Sequence, residues 1–151
     1  MLVGPGKSKI VKEPFGVVLI MGSWNFPVYT TLVPLIYAIA AGNCAIVKPS
    51  ELSPHISKQI KTLITRYLDF NCYACIEGSV NVAVNLTSQK FDLIMFTGGS
   101  EKGKLVAQAA AKNLVPCILE LGGKSPCIID ESCDLELAAM KVAFSRYLNG
   151  G

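Results

Sequence analysis

Histidine is almost missing from this chain: His55 is the only one in 151 residues. Of the six cysteines, only Cys72 and Cys75 have metal-ligand spacing, and no second pair follows. A four-ligand zinc site cannot be filled from that set, so no metal is expected. A redox role for the same pair would need a helix N-terminus to lower a thiol pKa, and "CYACI" reads as a strand. Basic residues are scattered in runs no longer than two, and the net charge is only +3. That leaves no footprint for a nucleic acid. The first residues lack the charged segment, apolar stretch and cleavage site of a secretory signal. The expectation is a reduced, cytoplasmic protein whose cysteines are buried free thiols, with membrane association through a further C-terminal tail left open. Charge is also absent from the whole of Pro14 to Val47, long enough to span a membrane. Gly16, Gly22, Asn25, Pro27, Pro34, Gly42 and Asn43 interrupt it, however, and it reads as strand, turn, helix, turn, strand in a buried core.

What is present is an alternation. "GVVLIMG" (16–22) is a continuous apolar run rich in β-branched residues, the pattern of a strand buried on both faces. A helix follows, with Pro27 in its first turn, a kink expected at Pro34 and Gly42 at its close. "CAIVKP" is the next strand. Ser53-Pro54 opens a helix by cap logic. "CYACIEG", "FDLIMFTG", "PCILELG" and "PCIID" are further strands. Helices are expected at 79–90, at 100–113 and, capped by Asp134, at 135–148. Such an order predicts an α/β fold with a parallel sheet covered on both faces. Ligands bind such sheets at the carboxyl ends of the strands. The informative residues are therefore Gly22–Phe26, Lys48–Glu51, Gly98–Gly103 and Glu120–Lys124.

Each of these spots carries a chemistry and a plainer alternative. Gly98 and Gly99 let a backbone approach a phosphate, with Ser100 capping the next helix, or they form an ordinary glycine turn. Gly98, Gly103 and Lys104 imitate a P-loop, but Leu105 stands where a Mg²⁺-binding hydroxyl is needed, and the spacing misses the G-x-G-x-x-G fingerprint. "GPGKS" (4–8) lacks a preceding strand and is discarded. Glu51 can take both hydroxyls of a ribose and Lys48 can donate to ribose or phosphate, or the two belong to a solvated turn. Asn25 can be an oxyanion donor or cap the helix at Pro27. Glu120, between Leu119 and Leu121, is expected to be desolvated. Burial would then raise its pKa toward that of a general base working near neutrality, unless it forms a structural ion pair with Lys124 or Lys48.

Taken together, "EPFGVVLIMGSWNFP", "AAGNCAIVKPSE", "FTGG", "GK" and "LELGGKSP" resemble the aldehyde dehydrogenase family, and "IVKEP…GSWNFP" with "LGGKSPCIID…CDLE" resembles its class 3 (fatty and aromatic aldehyde) branch. The likeness runs from about Lys9 to the last residue and is loosest at 70–90. It implies a Rossmann-like NAD(P)-binding domain over 1–121 and the start of a catalytic domain over 122–151. It also implies oxidation of an aldehyde to a carboxylic acid with NAD or NADP, and a homo-oligomer, often a dimer. By the resemblance Asn25 is the oxyanion amide and Glu120 the general base. Lys48 and Glu51 hold the adenosine ribose, and Gly98, Gly99, Ser100 and Gly103 face the pyrophosphate. Trp24 and Leu121 help shape the cleft. Two departures matter. Gly99 stands where the family usually has Ser. None of the six cysteines has the Gly-Gln-x-Cys context of the family's nucleophile, so a fragment without that nucleophile is expected. A non-catalytic nucleotide-binding or interaction module derived from the family is the alternative; an acylating reductase is disfavoured, because Glu120 is a base such enzymes do without.

Overall fold

In the computed structural model, residues 6–150 are described; the discarded "GPGKS" begins outside them. Five strands, β1 (Val17–Met21), β2 (Cys44–Lys48), β3 (Tyr73–Cys75), β4 (Leu93–Gly98) and β5 (Cys117–Leu121), alternate with α1 (Pro27–Ala40), α2 (Pro54–Tyr67), α3 (Val80–Thr87) and α4 (Ser100–Ala111). The sheet is wholly parallel in the order β3-β2-β1-β4-β5. From β1 the chain steps outward to β2 and β3, then crosses to β4 on the other side. The strand order therefore reverses between β1 and β4, where open α/β sheets bind their ligands.

Side-chain alternation splits the strands between two cores. Leu19, Met21, Ile94 and Phe96 pack with Leu86 of α3 and with Val106 and Ala110 of α4. Val18, Ile20, Ala45 and Val47 pack with Leu35 and Ala38 of α1 and with Ile60 and Ile64 of α2. The continuous apolar runs have this double burial as their cause. At the amino end of β1, Gly16 has φ +127°, and a Cβ there would meet the Asp92 carboxylate at 2.3 Å. That carboxylate accepts from Val17 N at 2.7 Å and pins β1 beside β4.

Cover on the α1/α2 face is incomplete. Leu93, Met95 and Thr97 of β4, with Ile118 and Glu120 of β5, floor an open, mostly apolar groove of about 540 Å³. Tyr29, Val33, Pro34 and Tyr37 of α1 form its wall. Pro34 lies within α1, which runs unbroken from Pro27 to Ala40.

The described residues form two compact units, one ending at Leu121 and the other starting at Gly122. In the second unit the expected "PCIID" strand is absent: residues 122–134 form no strand or helix. A strand needs a neighbour for its backbone groups, and no described strand of this unit provides one. Helix α5 (Leu135–Tyr147) follows, and Asp134 caps it as expected by accepting from Leu137 N at 3.0 Å. Arg146 donates to the Ser125 carbonyl at 2.6 Å, tying the irregular segment to that helix.

Two other caps differ from expectation. Ser53 is the N-cap of α2, but its hydroxyl bonds back to the Ser50 carbonyl instead of to the helix. The N-cap of α4 is Gly99, and Ser100 is the first helical residue.

Candidate functional site

The turn after β1 holds Trp24 and Asn25, both exposed. Beneath them Ser23 is buried, and its N–H donates to Thr30 Oγ1 at 2.9 Å. Its hydroxyl donates to Asn25 Oδ1 at 2.8 Å. Thr30 in turn bonds the Phe26 carbonyl at 3.0 Å. This chain ties down the oxygen of the Asn25 amide and makes Nδ2 its donor end. The N-cap of α1 is Phe26, so Asn25 does not cap that helix. Gly22 is required at this turn because a Cβ would lie 2.1 Å from Thr31 Oγ1.

At the end of β2, Lys48 is almost wholly buried. Its ammonium donates to the Pro49 carbonyl and to Glu51 Oε2, both at 3.1 Å. A buried ammonium needs such partners. Three N–H bonds serve two acceptors, so one donor direction remains for a ligand. Burial raises the Glu51 pKa, but a hydrogen bond from its own N–H and the Lys48 ammonium outweigh that, and the carboxyl is held below its usual range. Lys102, in the first turn of α4, also lowers it. The carboxyl ends of β2 and β4, one on each side of β1, are therefore near enough for their charges to interact. Neither the ion pair nor Lys102 is the solvated turn that "VKPSE" alone permits.

At the end of β4 the glycines divide their work. A Cβ on Gly99 would meet nothing within 4 Å, which leaves open space before the first turn of α4. No side chain caps that turn, so its N–H groups and the helix dipole are available to an anion. Gly103, by contrast, is buried; a Cβ there would lie 2.7 Å from Leu121 Cδ2. It lets α4 close onto β5. Gly98 is likewise confined by packing: a Cβ there would lie 2.6 Å from Phe96 Cζ.

At the end of β5, Glu120 is exposed, not buried as expected. It pairs in register with Thr97 and lines the open groove. The desolvation argued from its apolar neighbours is missing because no described residue of this unit covers that part of the sheet. Thr30, which belongs to the Asn25 network, lines the same groove. The ion pair with Lys48 does not form, since Lys48 is taken by Glu51. Ser23, Thr30 and Lys102 were not singled out from the sequence. Only Lys102 left a signal there, as a cation in the first turn of a helix that follows a glycine pair.

All six cysteines are free. None is fully buried: five are half-buried and Cys127 is exposed, so the expectation of core thiols was too strong. Burial pushes the Cys117 thiol up, and that of Cys75 to about 11. Among the described residues no group of three or more metal-ligating side chains occurs.

A model of the aldehyde dehydrogenase family matches residues 5–151. Over 139 residues the chain is 52% identical to the Mus musculus protein named aldehyde dehydrogenase family 3 member A2, covering 92% of this chain and 29% of that one. It is 48% identical to the Mus musculus aldehyde dehydrogenase described as dimeric and NADP-preferring, covering 94% and 31%. Among solved structures, the substrate-bound state of Staphylococcus aureus AldH superposes with TM-score 0.89 at 46% identity, over 91% of this chain and 30% of that one. A Mycobacterium tuberculosis aldehyde dehydrogenase complexed with NAD⁺ superposes with TM-score 0.85 at 34% identity, over 91% and 29%. The chain thus spans about 30% of the length of the relatives it matches.

Proposed function

The chain belongs to the aldehyde dehydrogenase family, and from that premise we propose that residues 1–121 bind NAD⁺ or NADP⁺ and carry part of the machinery for oxidising an aldehyde to a carboxylic acid, with residues 122–151 beginning the catalytic domain. What supports this reading is the set of residues at the carboxyl end of the sheet where the strand order reverses. One side has a buried lysine with a donor to spare and a carboxylate held ionised. The other has an uncapped helix N-terminus fronted by open space at Gly99. A ribose diol fits the first and a pyrophosphate the second.

In this assignment Glu51 accepts from the ribose hydroxyls while Lys48 donates to them. The pyrophosphate lies over the N–H groups of Gly99 and Ser100, with Lys102 close enough to add charge. When bound, the nicotinamide cofactor accepts the hydride. Asn25 Nδ2, oriented through Ser23 and Thr30, donates to the oxyanion that forms on the aldehyde carbon. Glu120 takes a proton from the water that hydrolyses the acyl thioester. Trp24 and Leu121 flank the cleft. No cysteine has the sequence context of the family's nucleophile, and three of the six lie in strands of the sheet, so the 151-residue chain alone does not oxidise aldehydes. Aliphatic or aromatic aldehydes are the substrate class, and a homodimer is the assembly, in a protein that supplies the nucleophile. Free cysteines suit a reducing, cytoplasmic setting. No described helix is long and apolar enough to cross a membrane.

Isothermal titration with NAD⁺ or NADP⁺ tests the reading. Weak binding is expected, and Glu51→Ala should weaken it by roughly 1–3 kcal/mol, the cost of stranding hydrogen-bonding groups. A demonstrably folded sample that gives no heat at millimolar cofactor would overturn it.

A further inference from the structure

At the amino-terminal edge of the sheet, opposite the candidate site, two thiols far apart in sequence come together. Ala45 pairs with Tyr73 in the parallel ladder, and Ala45 N–H donates to the Cys72 carbonyl at 2.8 Å. One register step back, Cys44 faces Cys72. Register partners project from the same face of a sheet. Adjacent strands lie ~4.8 Å apart, inside the ~4.4–6.8 Å between Cα atoms that a disulfide spans. The nearness of the Cys44 side chain pushes the Cys72 thiol up. Both residues are only half-buried, so a small reagent can reach them. The partner that sequence spacing suggests for Cys72 is the wrong one. Cys75 lies three residues along the chain, on the opposite face of β3, where it packs against the α1/α2 core.

We propose that Cys44 and Cys72 form a dithiol site that small-molecule disulfides oxidise to an intramolecular disulfide, locking the edge strand β3 onto β2. One cysteine, as thiolate, attacks a sulfur of the reagent. The reagent's S–S bond breaks and one small thiolate leaves. The second cysteine thiolate then attacks the protein sulfur of the mixed disulfide and expels the other half. Two protein thiols are oxidised, one small disulfide is reduced to two thiols, and the two protons lost by the cysteines end on the released thiolates. The same geometry should hold a trivalent arsenical between the two sulfurs, with loss of water and no redox change.

The test is to expose the reduced 151-residue chain to cystamine, alkylate the remaining thiols and read intact mass, followed by a peptide map. Four of the six cysteines should be alkylated, and the map should link Cys44 to Cys72. Cys75→Ser should keep the link; Cys44→Ser and Cys72→Ser should each abolish it. Phenylarsine oxide offers a reading on the unmodified sequence, where one equivalent should protect both thiols from alkylation. A Cys72–Cys75 link, cystamine adducts without a link, or an arsenical that leaves Cys44 and Cys72 alkylatable would each overturn the proposal.

Discussion

The two faces of the sheet are made by the same strands yet are not equally finished. Under α3 and α4 the side chains of β1, β4 and their neighbours form one closed core from Leu19 to Val115. Under α1 and α2 the core closes over β2 and β1 and stops, leaving the β4–β5 floor open as a groove. Adjacent residues of β4 thus live in different surroundings: Ile94 is fully buried, whereas Met95 lies on the groove floor. The strand run "LIMF" is equally apolar on both faces. Its composition reports that both faces avoid water, not that one chain segment covers both. The catalytic candidate Glu120 sits on the unfinished side, and the cofactor candidates sit at the carboxyl ends of β2 and β4.

This contrast can be broken most directly in the strand itself. Ile94→Ala should cost about 2–5 kcal/mol, and Met95→Ala next to it less than about 1 kcal/mol, because only the first leaves a cavity in a closed core. Urea denaturation of both variants measures the difference, and equal costs would erase the distinction between the faces.

Next in size is the pair of glycines flanking the α4 N-terminus. Gly103→Ala must push a Cβ into Leu121 and should cost about 1–3 kcal/mol. Gly99→Ala meets open space and has an ordinary φ of −72°. It should leave thermal stability unchanged and weaken cofactor binding, so melting and titration together separate packing from contact.

A smaller effect is expected from pH on the covered half of the α1/α2 face. Burial raises the Cys75 thiol from 9.0 to about 11. The unfolded chain therefore loses this proton first, and the stability the group contributes is complete below about pH 9 and lost as pH rises toward 11. Half-exposure limits it to ~1 kcal/mol. The slope of stability against pH in that window should shrink in Cys75→Ser, the remainder coming from other raised thiols such as Cys117; an unchanged slope would assign it elsewhere. The smallest effect belongs to the open floor: Ile118→Ser should change stability by less than about 0.5 kcal/mol.

The elements that the sequence revealed well are those whose signal is local. Strands β1, β2, β4 and β5 are short apolar runs bounded by Gly, Pro and Asn, and their helices carry Pro at the first turn or high propensity. Placing Lys48, Glu51 and Gly99 at strand ends followed from the alternation alone. What stayed hidden depends on contacts distant in sequence. The "PCIID" run is as apolar as β5, but no described strand of its own unit pairs with it. Glu120 has apolar sequence neighbours, yet its exposure is decided by what lies over the sheet. The inward turn of Gly103 toward Leu121 and the meeting of Cys44 with Cys72 are matters of register, which a linear pattern does not record.

The reversed strand order also has a consequence in time. The central strand, β1, is the first made, and it gains β2 as soon as α1 is complete. Its second neighbour is β4, whose anchor, Asp92, lies 75 residues beyond Val17. At about 5–20 residues per second of synthesis, that is a wait of roughly 4–15 s. During it the β1-α1-β2-α2-β3 half can assemble from near-sequence pairings, while the other edge of the middle strand stays unpaired. The middle strand of the finished sheet is therefore enclosed long after its first neighbour has paired, and a chaperone that shields strand edges would find its target there on the nascent chain.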